Sequence, residues 1–290
     1  MTAVVLFAAV LHSAWNALVK AIPDRLASST MIAVAYLISG VAGAFVFGMP
    51  FQASWPYVLA SAGLQTCYLI LLTTSYKHGD FSQVYPLARG LAVLLVTAVA
   101  TTFLAEKLSV LQLAGVAVVA GSLLSLALTG GTLTGGILMG GRPTAPTGSR
   151  KGTMFAVLTG VSIAAYTLVD GVGVRLSGMP MAYVSWLFLL QGLLIPVVCW
   201  RLAPERIGFA RRVARHWKPG LLGGLVSLVA YGIVVWAQSL APLALVSALR
   251  ETSVLLAGII GAVFFKERFS RVRLGLTTVA VAGIVALQLG

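Results

Sequence analysis

Four ionisable residues stand inside stretches otherwise built from apolar side chains: Arg89, Asp170, Arg250 and Glu251. Their formal charges cancel, which suits mutual pairing in a polar cavity. Ionisable groups at membrane depth are costly and face a partner or a cavity. Arg89 follows Tyr85 by four residues, so both project from one helix face. A guanidinium there can grip a carboxylate through two parallel bonds, while the tyrosine adds a ring and a hydroxyl. The competing reading is a structural ion pair, or an arginine reaching to the surface. Glu251 is a candidate proton-coupling carboxylate, because burial and a neighbouring guanidinium pull its protonation in opposite directions. A permanent Arg–Glu pair is the alternative. Asp170 is a second coupling candidate, although its place near the end of a helix also suits a water-facing carboxylate.

A second set is polar and aromatic. His12, Trp15 and Asn16 share a helix face at i, i+3 and i+4, and Tyr166 with Thr167 stands at the corresponding place later in the chain. Such groups suit a cavity with aromatic walls and a few hydrogen-bonding sites, or else hydrogen bonds between helices. His12 also brings a group that titrates near neutral pH. The substrate-binding candidates are therefore His12, Trp15, Asn16, Tyr85, Arg89, Tyr166, Arg250 and Glu251. Gln65, Tyr68, Gln191, Tyr231, Trp236 and Gln238 are further lining candidates.

Other chemistries find no support. Only seven acidic residues are present, none forming the Asp-Asp-x-x-Asp cluster of a diphosphate–magnesium site, and Asp24, Asp80 and Asp170 show no pairing of the kind an Asp-dyad protease needs. There is no His-Glu-x-x-His motif, nucleophile elbow or phosphate-binding loop. Cys67 and Cys199 both fall in apolar runs and suggest neither a disulfide nor a metal site. We expect no catalytic residues, no cofactor and no metal.

The elements that must position these groups are membrane helices. Of the 290 residues, 59% are hydrophobic and 9% charged, and the mean hydropathy is +0.99. Soluble domains carry about 25% charged residues. Apolar runs of about 20 residues recur throughout, the length needed to cross a hydrocarbon core. We place helices near 2–20, 28–48, 54–76, 82–104, 109–128, 152–174, 180–202, 219–240, 242–264 and 272–289. Turn chemistry supports Ile22-Pro23-Asp24, His78-Gly79-Asp80, Gly178-Met179-Pro180 and Lys218-Pro219-Gly220 as breaks, and Ser109 and Ser270 suit N-caps. Glu106 and Glu267, at membrane ends beside helices 5 and 10, suit capping of helix N-termini, with gating as the alternative. No cleavable signal peptide is evident, since the first run lacks a basic leader and contains His12, Asn16 and Lys20. The Gly/Thr/Pro-rich stretch 129–151 reads as a linker between halves 1–128 and 152–290.

The halves are related. Shifting 76–128 by 161 positions lays it on 237–289, with Arg89 on Arg250, Phe103 on Phe264, Glu106 on Glu267 and Ser109 on Ser270. Trp15 to Val19 likewise resembles Tyr166 to Asp170. Five helices per half is an odd number, so the second half enters the membrane inverted. Inverted repeats commonly carry a substrate site at the midplane and permit alternating access. The expected fold is all-α, with ten transmembrane helices as two inverted five-helix repeats.

At the level of motif, the chain resembles the EamA-type, ten-helix members of the drug/metabolite transporter superfamily. The likeness rests on His12-Ser13-Ala14-Trp15-Asn16, the run Gly79 to Gly90, Glu106-Lys107-Leu108-Ser109, and Lys266-Glu267-Arg268-Phe269-Ser270. It covers essentially the whole chain and is a poor guide to substrate. What it implies is a secondary carrier, often an exporter of amino acids, related metabolites or toxic compounds. The second half departs from the first: Ser247-Ala248-Leu249-Arg250-Glu251 stands where the first has Pro86-Leu87-Ala88-Arg89-Gly90. A passive channel or a lipid or metabolite facilitator shares this composition, and a membrane enzyme fits it far less well.

Net charge is +13. All of the 20 basic residues except Arg89, Lys107, Arg175 and Arg250 lie in or beside the loops after odd-numbered helices. The positive-inside rule then places those loops in the cytoplasm and both termini outside, whereas the resemblance implies both termini inside; the charge count outweighs it. The 203–218 loop, with Arg206, Arg211, Arg212, Arg215 and Lys218 around Phe209, Val213 and Trp217, suits a short interfacial helix on anionic lipid. The spacing Gly40, Ala44, Gly48 offers a small-residue face for helix packing within the chain, with a dimer contact as the alternative. The expected partners are a small-molecule substrate and the lipid bilayer of a bacterial inner membrane, with no nucleic acid, in a monomer or weak homodimer.

Overall fold

The computed structural model describes residues 1–20, 22, 24–79, 81–133, 149–256 and 271–290. Among them every regular element is helical. In chain order these are α1 (Thr2–Lys20), α2 (Arg25–Phe47), α3 (Trp55–His78), α4 (Phe81–Thr102), α5 (Val110–Leu133), α6 (Arg150–Leu176), α7 (Pro180–Leu202), α8 (Phe209–Arg215), α9 (Trp217–Gln238), α10 (Leu243–Arg250) and α11 (Arg271–Leu289). A 3-10 turn, Gln52–Ser54, precedes α3. Seven of the described helical spans are long and apolar enough to cross a membrane, from Arg25–Phe47 to Trp217–Gln238, and two shorter apolar helices, Thr2–Trp15 and Leu274–Leu289, lie at the ends.

The chain divides into two compact units, each drawing on both halves of the sequence, with the division falling inside α3 after Thr66 and inside α6 after Leu168. In the first unit α2 packs against α7 and α9. The approach of α2 to α7 is close and reciprocal. A Cβ on Gly40 would run into the backbone of Leu189, and one on Gly192 would lie 2.6 Å from the Leu37 Cα. Glycine is used here because only a bare backbone lets the axes come this near. Around this pair Tyr36, Val58, Tyr183, Leu187, Phe188 and Val235 form a buried core, flanked by Trp15, Tyr57 and Tyr231. The expectation that Gly40 serves internal packing holds. Gly48 is instead the C-cap of α2, with a φ of 72° that favours glycine.

In the second unit α5 packs against α4 and α11, and α4 against α10. Val96, Ala100, Ala164 and Leu243 form its core. Two caps set the ends of its helices. Gln112 N–H donates to Ser109 Oγ at 3.1 Å while Ser109 N–H donates to Gln112 Oε1 at 3.0 Å, a reciprocal capping box opening α5. Ala105, at a φ of 52°, turns the chain after α4. Glu106 then accepts from Leu243 N–H through both carboxylate oxygens, at 3.0 and 2.8 Å.

Several sequence expectations are corrected. Glu106 does cap a helix, but it opens α10 rather than its chain neighbour α5. Lys218-Pro219-Gly220 is no break, because α9 begins at Trp217 and accommodates Pro219 in its first turn, where the missing N–H has no helical partner to lose. The connection read as 129–151 is shorter, since α5 continues to Leu133 and α6 begins at Arg150; residues 134–148 lie outside the described residues. The helix read as 242–264 is interrupted: α10 ends at Arg250, Glu251 forms a turn, and helix resumes over 252–256. Residues 257–270, including Glu267 and Ser270, lie outside the described residues. The short helix expected in the 203–218 loop is α8.

Candidate functional site

The second unit buries a cluster of charge where α4 meets the end of α10. Arg89 Nε donates to Glu251 Oε2 at 2.7 Å, and Arg89 Nη2 lies 3.5 Å from Ser253 Oγ. Glu251 Oε1 is 3.7 Å from Arg250 Nε, with only 4% of the Arg250 side chain and none of the Glu251 side chain exposed. One carboxylate thus stands between two guanidiniums. The Tyr85 ring lies 5.8 Å from the Arg89 guanidinium carbon, in range for a cation–π contact. Tyr68 and Tyr166 stack edge to face at 5.8 Å, and all three tyrosines lie close enough to Arg89 to interact with its charge. The helix break after Arg250 explains the crowding: Arg250 and Glu251 are consecutive, yet both turn into the interior.

The first unit buries a separate polar centre at Asp170, whose surface is wholly covered. Tyr183 donates its hydroxyl to Oδ1 at 2.9 Å, Tyr231 donates to Oδ2, and Gln65 Nε2 approaches Oδ2 at 3.3 Å. Gln65 also donates to the Tyr231 oxygen at 3.0 Å and to Ser61 Oγ at 3.0 Å. The expectation of a water-facing Asp170 is therefore overturned. The α6 helix continues to Leu176, a turn and a half past Asp170, so the residue is interior rather than terminal. The donors named here are all neutral: two tyrosine hydroxyls and one side-chain amide.

Trp15 Nε1 donates to His12 Nδ1 at 3.2 Å along α1, and the two rings meet edge to face at 5.3 Å. Trp15 packs on the first unit's core. The Asn16 side chain lies outside the described residues. Of the lining candidates, Gln65 and Tyr231 join the Asp170 centre and Tyr68 joins the tyrosines of the second unit. Gln191 and Gln238 are buried, with Nε2 of the first and Oε1 of the second lacking a hydrogen-bond partner. Sequence reasoning missed Tyr183, Ser247 and Ser253. A tyrosine or serine in an apolar helix carries no mark of which neighbour it will face.

The run of long apolar helices is that of a multi-pass membrane protein. Residues 150–288, just under half of the chain, match the EamA-like transporter family, which supports a place in the drug/metabolite transporter superfamily. A solved crystal structure is similar over 99% of this chain and 97% of its own, with a TM-score of 0.70 at 15% sequence identity; the likeness is one of fold. The comparison with curated proteins finds no match.

Proposed function

We propose that this protein is a secondary active carrier of a bacterial inner membrane that exports small metabolites, amino acids or related compounds, by alternating access between two inverted five-helix halves. The observation that carries the proposal is the meeting of Arg89 and Arg250 over Glu251. These arginines are equivalent under the shift of 161 residues, and they share one carboxylate inside an apolar helix packing. Charge buried at membrane depth serves substrate or ion pathways far more often than it serves stability.

The packing of α2 on α7 supports the repeat. Gly40 against Leu189 and Gly192 against Leu37 are the same contact with the partners exchanged, which is what a two-fold relation between equivalent helices requires.

In this reading Tyr85, Arg89, Tyr166, Arg250 and Glu251 of the second unit contact the substrate. Glu251 or Asp170 takes up and releases the coupling proton. Metabolite profiling of medium and cytosol, with and without a protonophore, tests it. A compound exported only by cells that make the protein, and retained when the proton gradient is collapsed, is the expected result. Export indifferent to every ion gradient would turn the reading toward a passive facilitator.

A further inference from the structure

We infer that Arg250 and Ser247 form the anion-binding half of the site, and that its ligand is a small hydroxycarboxylate carrying a net negative charge. Three buried side chains at the end of α10 have unused hydrogen-bonding atoms. Arg250 Nε and Nη2, Ser247 Oγ and Glu251 Oε1 all lack a hydrogen-bond partner, although Arg250 is 4%, Ser247 1% and Glu251 1% exposed. Ser247, Arg250 and Glu251 fall at i, i+3 and i+4, one face of the helix.

The unused atoms of Arg250 are a matched pair. Nε and Nη2 form one edge of the guanidinium, the edge that takes both oxygens of a carboxylate. Glu251 cannot serve as that partner, because its Oε2 is engaged by Arg89 at 2.7 Å and its Oε1 stands 3.7 Å from Arg250 Nε. A guanidinium does not escape by losing its proton. The described cluster therefore holds two positive charges and one negative.

Charge and hydrogen-bond chemistry then select the ligand. A carboxylate monoanion brings the cluster to neutrality and fills the Arg250 edge, with Ser247 Oγ–H as a further donor. Glu251 Oε1 is an acceptor beside that edge, so the ligand needs a donor next to its carboxylate. A hydroxyl supplies one without changing the charge. An ammonium would supply one too, but a zwitterion leaves the surplus positive charge in place, and a phosphate dianion overshoots it.

The inference rests on the transport reading for its role and not for the binding itself. Binding is tested first, by thermal unfolding of the full-length protein in detergent with glycolate, lactate or glycerate, beside alanine, lactamide and inorganic phosphate at equal ionic strength. At least one hydroxycarboxylate should raise the melting temperature more than any of the others. Arg250→Lys keeps the charge but loses the edge, and it should weaken the affinity about tenfold or more, as loss of a charge-assisted bond implies. Ser247→Ala should give a smaller loss, and keeps the test usable if the arginine variant does not fold. No shift with any hydroxycarboxylate, an equal or larger shift with alanine or phosphate, or unchanged affinity in both variants would overturn the assignment. Flux of the stabilising acid into proteoliposomes is then measured separately. Binding without flux would leave this site standing and count against the carrier.

Discussion

Arg89 and Glu251 stand 162 residues apart in the chain and meet through a 2.7 Å contact between Nε and Oε2, with 4% and 0% of their side chains exposed. The pair joins α4 to the turn that ends α10, so one interaction both neutralises charge in an apolar interior and fixes the register of two helices.

Replacing Glu251 by Gln leaves Arg89 and Arg250 buried without their shared counter-charge. Breaking a buried pair from one side costs about 3–5 kcal/mol, and thermal unfolding in detergent should show a loss of that order. Glu205→Gln is the contrast. Glu205 lies 3.8 Å from Arg212 with 85% of its side chain exposed, and its loss should cost at most about 1 kcal/mol. Equal effects for the two variants would mean the buried pair is not structurally coupled.

The Asp170 centre makes its own demand. Tyr183→Phe removes one of the hydroxyl donors from a carboxylate that water does not reach, which costs about 1–3 kcal/mol. Tyr231→Phe removes the donor to the other oxygen and also the acceptor for Gln65, so it should destabilise at least as much. Unfolding curves in which Tyr183→Phe matches the parent would show that Asp170 does not depend on this hydrogen bond.

The glycine contacts give opposite signs on similar helices. Gly40→Ala and Gly192→Ala force a Cβ into the facing backbone between α2 and α7 and should lower the melting temperature, the more so because the facing atoms are main chain. At Gly63 and Gly121 a Cβ meets nothing within 4 Å. Alanine there should be neutral, or stabilising by up to about 1 kcal/mol through helix propensity. Stability unchanged by Gly40→Ala would contradict the close packing.

Glu106 caps α10 across a long stretch of sequence. Glu106→Ala leaves the Leu243 N–H without its acceptor and should cost about 0.5–2 kcal/mol. Glu106→Gln keeps a carbonyl oxygen in place and should recover much of that. Hydrogen exchange at Leu243 distinguishes a lost cap from a general loosening.

The helices were legible because apolar length alone specifies them, and Arg89, Arg250 and Glu251 because a charge in such a run has few innocent explanations. Register between helices was not legible. In helices apolar on every face, periodicity no longer says which side meets which neighbour. For that reason nothing in the sequence marks Tyr183 as a partner of Asp170 or Glu106 as the cap of α10. The break at Glu251 was hidden for a related reason. Ser247 to Glu251 contains neither Gly nor Pro, so no local signal marks the turn.

The most direct test compares metabolites in medium and cytosol of cells making the parent protein with cells making Arg89→Ala at equal membrane abundance. The account predicts a compound that accumulates outside with the parent and stays inside with the variant. Equal export by Arg89→Ala would contradict the claim that the buried arginine–glutamate cluster is where transport happens.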